Sequence, residues 1–351
     1  HRVDRRQRQM CIRDRLTPAE LLETRVYAAL VEAGADEPSA AAATRAMMHA
    51  SKLGVDSHGV RLTPHYSRVL KGGRVNGRPD MTVKENSPVS FALDADHGLG
   101  HPAMYKAVDV ATDAAARMGI AAVGVHRSSH FGAAGAYAMA GQERGCITIC
   151  VANSDSIVAL FNGAERFHGT NPLAIGIPVP GEKPWLLDMA TSSVPMNRVL
   201  LYRVLGIQLP EGVAADLAGT PTRDAKEAEM LMPLGGADFG FKGAALAGFI
   251  SIMSSVVAGA TPDPFVIDMV GEDVSTPRNI GHFLIAIHPS FFGGGSNYGE
   301  QIKAYLGALR GSRAREGGVM APGEREWKVE IERAANGIPV DPETAAFLGL
   351  A

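Results

Sequence analysis

Apolar residues at Leu22, Val26 and Leu30 fall on one helical face, so the chain opens with an amphipathic helix. Thr17-Pro18-Ala19-Glu20 offers it a hydroxyl at N-cap, proline at N1 and glutamate at N3, and Gly34 ends it. A second helix starts at Asp36-Glu37-Pro38 and runs through an alanine-rich stretch to Gly54. A third covers 63–70 and closes at Gly72-Gly73. The period then shortens. Val89, Phe91 and Leu93 alternate as a strand, and strands at 120–125 and 146–151 alternate with helices at 102–117 and 133–143. Further strands are expected at 173–177, 185–187 and 283–287, with helices at 243–258 and 300–310.

Strand–helix alternation in the middle and helices at both ends predict an α/β layer structure with a second, mainly helical lobe. The expected division is 16–75 together with 290–351 for the helical lobe, and 76–289 for the α/β lobe. Residues 1–15 (HRVDRRQRQMCIRDR) are basic, have no apolar period, and are read as non-native sequence outside the fold.

Composition narrows the function. The 351 residues are 46% hydrophobic and 20% charged, with net charge −3, which gives no basic excess for nucleic acid. The 40 glycines suit tight turns and close helix-on-sheet contacts. Cys146 and Cys150 share a face of one strand with Thr148, too far apart for a disulfide, so a reducing, cytoplasmic location is expected. The uncharged run at 243–260 is rich in Gly, Ala and Ser, and is read as a buried helix, not a membrane span.

The polar groups that a core does not need are concentrated between His126 and Ser193. Gly98-Leu-Gly100-His-Pro-Ala103 matches a dinucleotide fingerprint, but no acidic residue closes a clear second strand after it; a glycine-rich turn is the preferred reading. His97/His101 and His126/His130 have metal-like spacing on segments that do not read as helices, so no metal is expected. His58 and His130, each flanked by serine and glycine at the end of an element, are acid/base candidates. Asp188 ends an apolar strand, where it could orient a histidine, bind a ribose or amide, or cap a helix beginning at Ala190. Gly169-Thr170-Asn171-Pro172 offers donors in a tight corner. Lys242, just before the expected helix at Gly243, suits a phosphate.

Six ordered motifs resemble the type-2 malate/L-lactate dehydrogenase family, which also includes ureidoglycolate, sulfolactate and diketogulonate oxidoreductases and an imine-reducing branch. They are Gly54-Val-Asp-Ser-His-Gly-Val60, Ser129-His-Phe-Gly132, Gly169-Thr-Asn-Pro172, Leu187-Asp-Met-Ala-Thr191, Phe241-Lys-Gly243 and Pro322-Gly-Glu324, and the resemblance spans nearly all of the chain after residue 15. It implies an NAD- or NADP-dependent enzyme acting on a small 2-hydroxy or 2-oxo acid. The implied cofactor lobe is three-layered and non-Rossmann, with a mixed sheet, and the implied assembly is a homodimer. By motif, His58, His130 and Asp188 fall at catalytic positions. Ser57, Arg61, Tyr66, Ser154, Thr170 and Asn171 fall where substrate is held; Asp188, Met189, Ala190, Lys242, Gly243, Gly323 and Glu324 fall where cofactor is held. Two departures stand out. Many relatives carry an arginine four residues after the first histidine, where this chain has Leu62, with Arg61 one earlier; and Arg198 stands near a position often held by a glycine-lysine pair. Reduction of a cyclic imine carboxylate and a non-catalytic acid- or cofactor-binding role are the alternatives.

Overall fold

The computed structural model describes residues 15–350. The segment read as non-native lies outside them except for Arg15. The chain runs β1 (Arg15–Thr17), α1 (Ala19–Glu32), α2 (Glu37–Lys52), α3 (Thr63–Lys71), β2 (Thr82–Ser87), β3 (Ser90–Asp94), α4 (Gly100–Met118), β4 (Ile120–Ser128), α5 (Gly135–Glu143) and β5 (Ile147–Ala152). It continues as β6 (Leu173–Ile177), β7 (Trp185–Met189), α6 (Met196–Leu205), α7 (Gly236–Ser251), β8 (Ile280–Ile287), α8 (Tyr298–Arg310), α9 (Glu324–Asn336), β9 (Ile338–Val340) and α10 (Pro342–Phe347).

Local chemistry explains the starts. Asp36 caps α2, its carboxylate accepting from Ser39 N at 2.9 Å. Thr17 does not cap α1: it pairs with Ile338 in the two-stranded β1–β9 ladder, and Pro18 takes the N-cap position without a side-chain acceptor. Arg15 pairs with Val340 in the same ladder.

Seven strands form the main sheet, in the order β2-β3-β4-β8-β5-β6-β7. Only β3 and β4, joined through α4, are parallel; every other neighbouring pair is antiparallel. Helices α4 and α5 cover one face, and their alanines (Ala103, Ala107, Ala111, Ala138) meet Leu93, Val123, Val125 and Leu284 in the largest buried cluster. Short side chains let these helices sit close to the sheet. A second cluster gathers Leu22, Val26, Leu30, Met47 and Tyr66 with Ile338, Val340, Leu348 and Leu350, so residues near the two chain ends share one core. Five short strands, among them Val158–Ala159 and Arg166–His168, make a separate small sheet.

Two expectations fail at α7. The helix starts at Gly236, seven residues before Gly243, because Gly235 (φ +101°) and Gly236 (φ +65°) make the turn that opens it. Nor is it buried all round. Gly240, Gly243, Ala247 and Ile250 face inward, whereas Phe249 (56% exposed), Ile252 (53%) and Val256 (65%) face outward. The helix continues as a π turn, Ile252–Val257, packed so tightly on β8 that a Cβ on Gly281 would fall 1.7 Å from Ser254 O. Among the described residues, Gly236–Val257 is the one helix long and apolar enough to pass a length-and-composition test for a membrane span.

Candidate active site

β4 ends at Ser128, and Ser129-His-Phe-Gly132 leads into α5. Helix α4 arrives directly beneath this turn. A Cβ on Gly100 would lie 2.3 Å from Ser129 O and 3.0 Å from His130 O. Carbonyl oxygens facing the glycine turn repel a phosphate, so these glycines serve close packing, in line with the preferred reading of that motif.

The other histidine comes from a 3₁₀ turn, Asp56–His58, after α2. Gly59 is pressed against α2, where a Cβ would meet Ser51 Oγ at 2.1 Å, and Val60 N donates to that same oxygen at 3.0 Å. Asp56 is anchored by Arg333 of α9, Nη2 to Oδ2 at 2.8 Å. The result brings the His58 and His130 rings to 5.7 Å between centroids, 27° from parallel. Ser57 Oγ lies 2.9 Å from His58 Nδ1, and Tyr66 Oη lies 2.7 Å from His130 Nδ1.

Both histidines are half-buried. Burial lowers the proton affinity of His58. Burial holds His130 well below the usual histidine range, and His58, His65, Arg278 and His101 add to the effect. Both rings are therefore neutral at pH 7, able to donate or accept hydrogen bonds without a standing charge.

Asp188 lies within β7, paired with Ala174, and does not end the strand; Ala190 starts no helix, since α6 begins at Met196, so the capping role is excluded. Its Oδ2 accepts from Gly135 N at 3.0 Å at the start of α5, which ties it to the His130 turn. The side chain is accessible yet densely surrounded, and burial raises its pKa to about 6. Met189 and Ala190 follow it, half-buried. Pro322 O accepts from Leu186 N at 3.2 Å, and Gly323 packs on Leu186, so the Pro-Gly-Glu turn abuts β7. Glu324 is held by Arg310 at 2.6 Å and by Ala321 N at 2.9 Å.

Several motif residues stand elsewhere than expected. Tyr66 is 1% exposed and Asn171 0%, so neither side chain lines a surface that substrate can reach. The Asn171 amide instead donates to Asp263 Oδ2 at 2.7 Å and Ala247 O at 3.1 Å. Gly243 is buried, its absent Cβ 2.3 Å from Leu234 O, so it serves helix packing. Lys242 is in the second turn of α7, not at its N-terminus; its ammonium lies 5.6 Å and 5.8 Å from the Phe239 and Phe241 ring centroids. Arg61 points towards Asp341 at 4.0 Å with its side chain 59% exposed. Ser154 and Thr170 are half-buried; Thr170 O accepts from Thr191 N at 2.9 Å, and Leu234 N donates to Thr191 O at 2.8 Å. That chain of bonds brings the Gly-Thr-Asn-Pro corner, the end of β7 and the start of α7 together.

Sequence reasoning missed three groups. Arg278, 6% exposed, precedes β8 and pairs with Asp155 next to Ser154; its Nε donates to Ile267 O at 2.7 Å. Asp263 is fully buried and accepts from His168 Nδ1 (3.1 Å), Gly169 N (3.1 Å), Asn171 Nδ2 (2.7 Å) and Ser251 Oγ (2.7 Å). His101 and His282 lie fully buried behind the His130 turn, with burial lowering both to about 3. The signal available for Arg278 was its place just before an apolar strand; nothing local marks Asp263 or His282, and His101 stood out only for its spacing from His97 and its place in the glycine-rich turn.

Comparison with known proteins shows the family. The malate/L-lactate dehydrogenase family model matches residues 17–348. The malate dehydrogenase of Pyrococcus abyssi is 32% identical over 331 residues, covering 92% of this chain and 90% of its own. The (2R)-3-sulfolactate dehydrogenase (NADP+) of Chromohalobacter salexigens is 32% identical over 313 residues, covering 89% and 90%. The crystal structure of malate dehydrogenase from Entamoeba histolytica superposes with a TM-score of 0.89 at 28% identity, covering 96% of this chain and 97% of that one. The chain belongs to the malate/L-lactate dehydrogenase family of oxidoreductases.

Proposed function

We propose that the protein interconverts a small 2-hydroxy acid and its 2-oxo acid with NAD or NADP, using His58 and His130 at the reacting oxygen. The observation that carries this reading is the histidine pair itself: two neutral rings 5.7 Å apart, each with a hydroxyl at Nδ1 and each only half-buried. Two hydrogen-bonding imidazoles can hold and protonate an oxygen that becomes an alkoxide.

The residues present fit a dinucleotide. Lys242 carries an exposed ammonium with no carboxylate partner among the described residues, suited to a phosphate. Asp188 is an accessible carboxylate suited to hydroxyl or carboxamide donors, and Met189, Ala190 and Gly323 wall the same strand end. When bound, the nicotinamide supplies or takes the hydride. The protein's part is alignment and charge. His130 and His58 face the oxygen on C2, Ser57 holds His58, and Ser154 with the Arg278–Asp155 pair borders the substrate side. Arg61 reaches the substrate carboxylate only by leaving Asp341. On this reading the cofactor rests on a mostly antiparallel sheet rather than on a parallel Rossmann lobe.

We also infer a homodimer, in which a second copy covers the outer face of α7. Phe249, Ile252 and Val256 recur at helical spacing along that face, an exposed apolar stripe of the kind that marks association surfaces.

The test is oxidation of NADH and NADPH against pyruvate, oxaloacetate, sulfopyruvate and piperideine-2-carboxylate, with ureidoglycolate and NAD in reverse. His130→Ala and His58→Ala should each lower turnover about 10²- to 10⁴-fold with cofactor binding kept. Full activity in both variants would remove the acid/base assignment, and turnover of the imine alone would favour the imine-reducing alternative.

A further inference from the structure

We infer that Tyr66 is a positioning residue whose hydroxyl fixes His130 in the tautomer that carries its proton on Nε2. The inference rests on the reading above that His130 faces the reacting oxygen.

The geometry leaves Nδ1 one role. Tyr66 Oη lies 2.7 Å from it, and Gly132 N points at the same atom from 3.4 Å. A backbone N–H can only donate, so Nδ1 accepts from Gly132 and carries no proton, and the Tyr66 hydroxyl turns its own proton to the same nitrogen. A proton on Nδ1 would face two donors. Nε2, on the opposite edge of the ring, has no hydrogen-bond partner among the described residues.

The surroundings hold this arrangement. Tyr66 is 1% exposed, with the His101 ring against it edge-on at 4.7 Å and 82°. His101 is itself fully buried in the first turn of α4. Gly132 sits at φ +74°, and a Cβ there would come 3.3 Å from His101 Nε2, so this residue can aim its N–H at His130 Nδ1 without strain only as glycine. Substrate does not touch Tyr66; it meets the consequence. A neutral ring with its proton on Nε2 presents an N–H to the cleft and so polarises the C2 oxygen of an oxo acid as a donor, as neutral imidazole electrophiles do elsewhere.

The experiment is long-range ¹⁵N–¹H NMR of histidine-labelled protein, with the His130 signals assigned from His130→Gln. Wild type should show an unprotonated Nδ1 and a protonated Nε2 from pH 6 to 9. Tyr66→Phe should mix the two tautomers, lower kcat about tenfold or more, and leave cofactor affinity unchanged. A side chain that only packs would lower the melting temperature without moving those nitrogen signals. An unchanged His130 spectrum in Tyr66→Phe overturns the proposal, as does a wild-type spectrum with Nδ1 protonated, which needs no variant to fold. The spectra require no turnover, so inactivity of the wild type against every acid tested would count against the proposed function alone.

Discussion

Asn171 Nδ2 lies 2.7 Å from the carboxylate of Asp263, a residue 92 positions later in the chain. The bond joins the corner after the small sheet to the loop following the π turn of α7. Three more donors, from His168, Gly169 and Ser251, complete the shell. With these donors Asp263 titrates below the usual carboxylate range although burial opposes that. Asp263→Ala would strand the three side-chain partners in a dry interior. The expected loss is about 3–5 kcal/mol, since breaking a buried network leaves its members unpaired. Urea unfolding checks this, and a loss under 1 kcal/mol would mean that water replaces the carboxylate.

A second prediction concerns acid. Unfolded histidines bind protons near pH 6.5, whereas folded His101 and His282 resist protonation down to about 3. The unfolded chain thus binds more protons between those values, so stability rises with pH across that window. It should be fully present above about pH 6.5 and fall by up to ~1.4 kcal/mol per pH unit per histidine below it. Urea midpoints at pH 7.5 and 5 measure the slope, and His282→Asn should flatten it. A slope unaffected by that change would place the acid sensitivity elsewhere.

How much of this was legible beforehand follows from what each feature depends on. The α1 face of Leu22, Val26 and Leu30 and the α2 start at Asp36-Glu37-Pro38 are local, and both are present as read. His58 and His130 stood out as candidates because each follows the end of a regular element and carries a family motif. Asp263 was invisible: its role is defined by His168 and Asn171 from one segment and Ser251 from another, which the fold brings to it. Tyr66 is a related case. A motif position says that a residue is near the substrate, but only the packing of His101 against it shows that it stands behind the histidine. At α7, glycines that look like loop residues are helical because neighbouring chain fills the space of their absent side chains, as Leu234 does at Gly243.

Cofactor affinity should depend on pH through Asp188. Its pKa is raised to about 6, chiefly by burial and also by Glu326, against the Gly135 amide. If the carboxylate accepts from hydroxyl or amide groups of the nucleotide, affinity should rise as pH increases through about 6 and level off above 7. Asp188→Asn should bind more weakly at pH 8 and lose most of that dependence. Calorimetric titrations with NADH and NADPH at pH 5.5 and 8 test it; a wild-type affinity flat over that range would detach Asp188 from the cofactor.

The last prediction tests what covers α7. Its exposed stripe combines Phe249, Ile252 and Val256 with Ala245, while Gly240, Gly243 and Ala247 pack inward. A stripe left in water would lose the roughly 25 cal/mol per Å² that burying apolar surface contributes. A second copy of the same helix offers a matching apolar stripe, and a two-fold contact uses one patch twice. Phe249→Glu would place a charge in that contact on both sides at once. Sedimentation at micromolar concentration should therefore show a dimer for wild type and a monomer for Phe249→Glu, with far-ultraviolet circular dichroism retained. An unaltered dimer would move the interface to another face, and a wild-type monomer with no partner on this helix would leave the stripe open to a lipid surface, for which vesicle flotation is the direct assay.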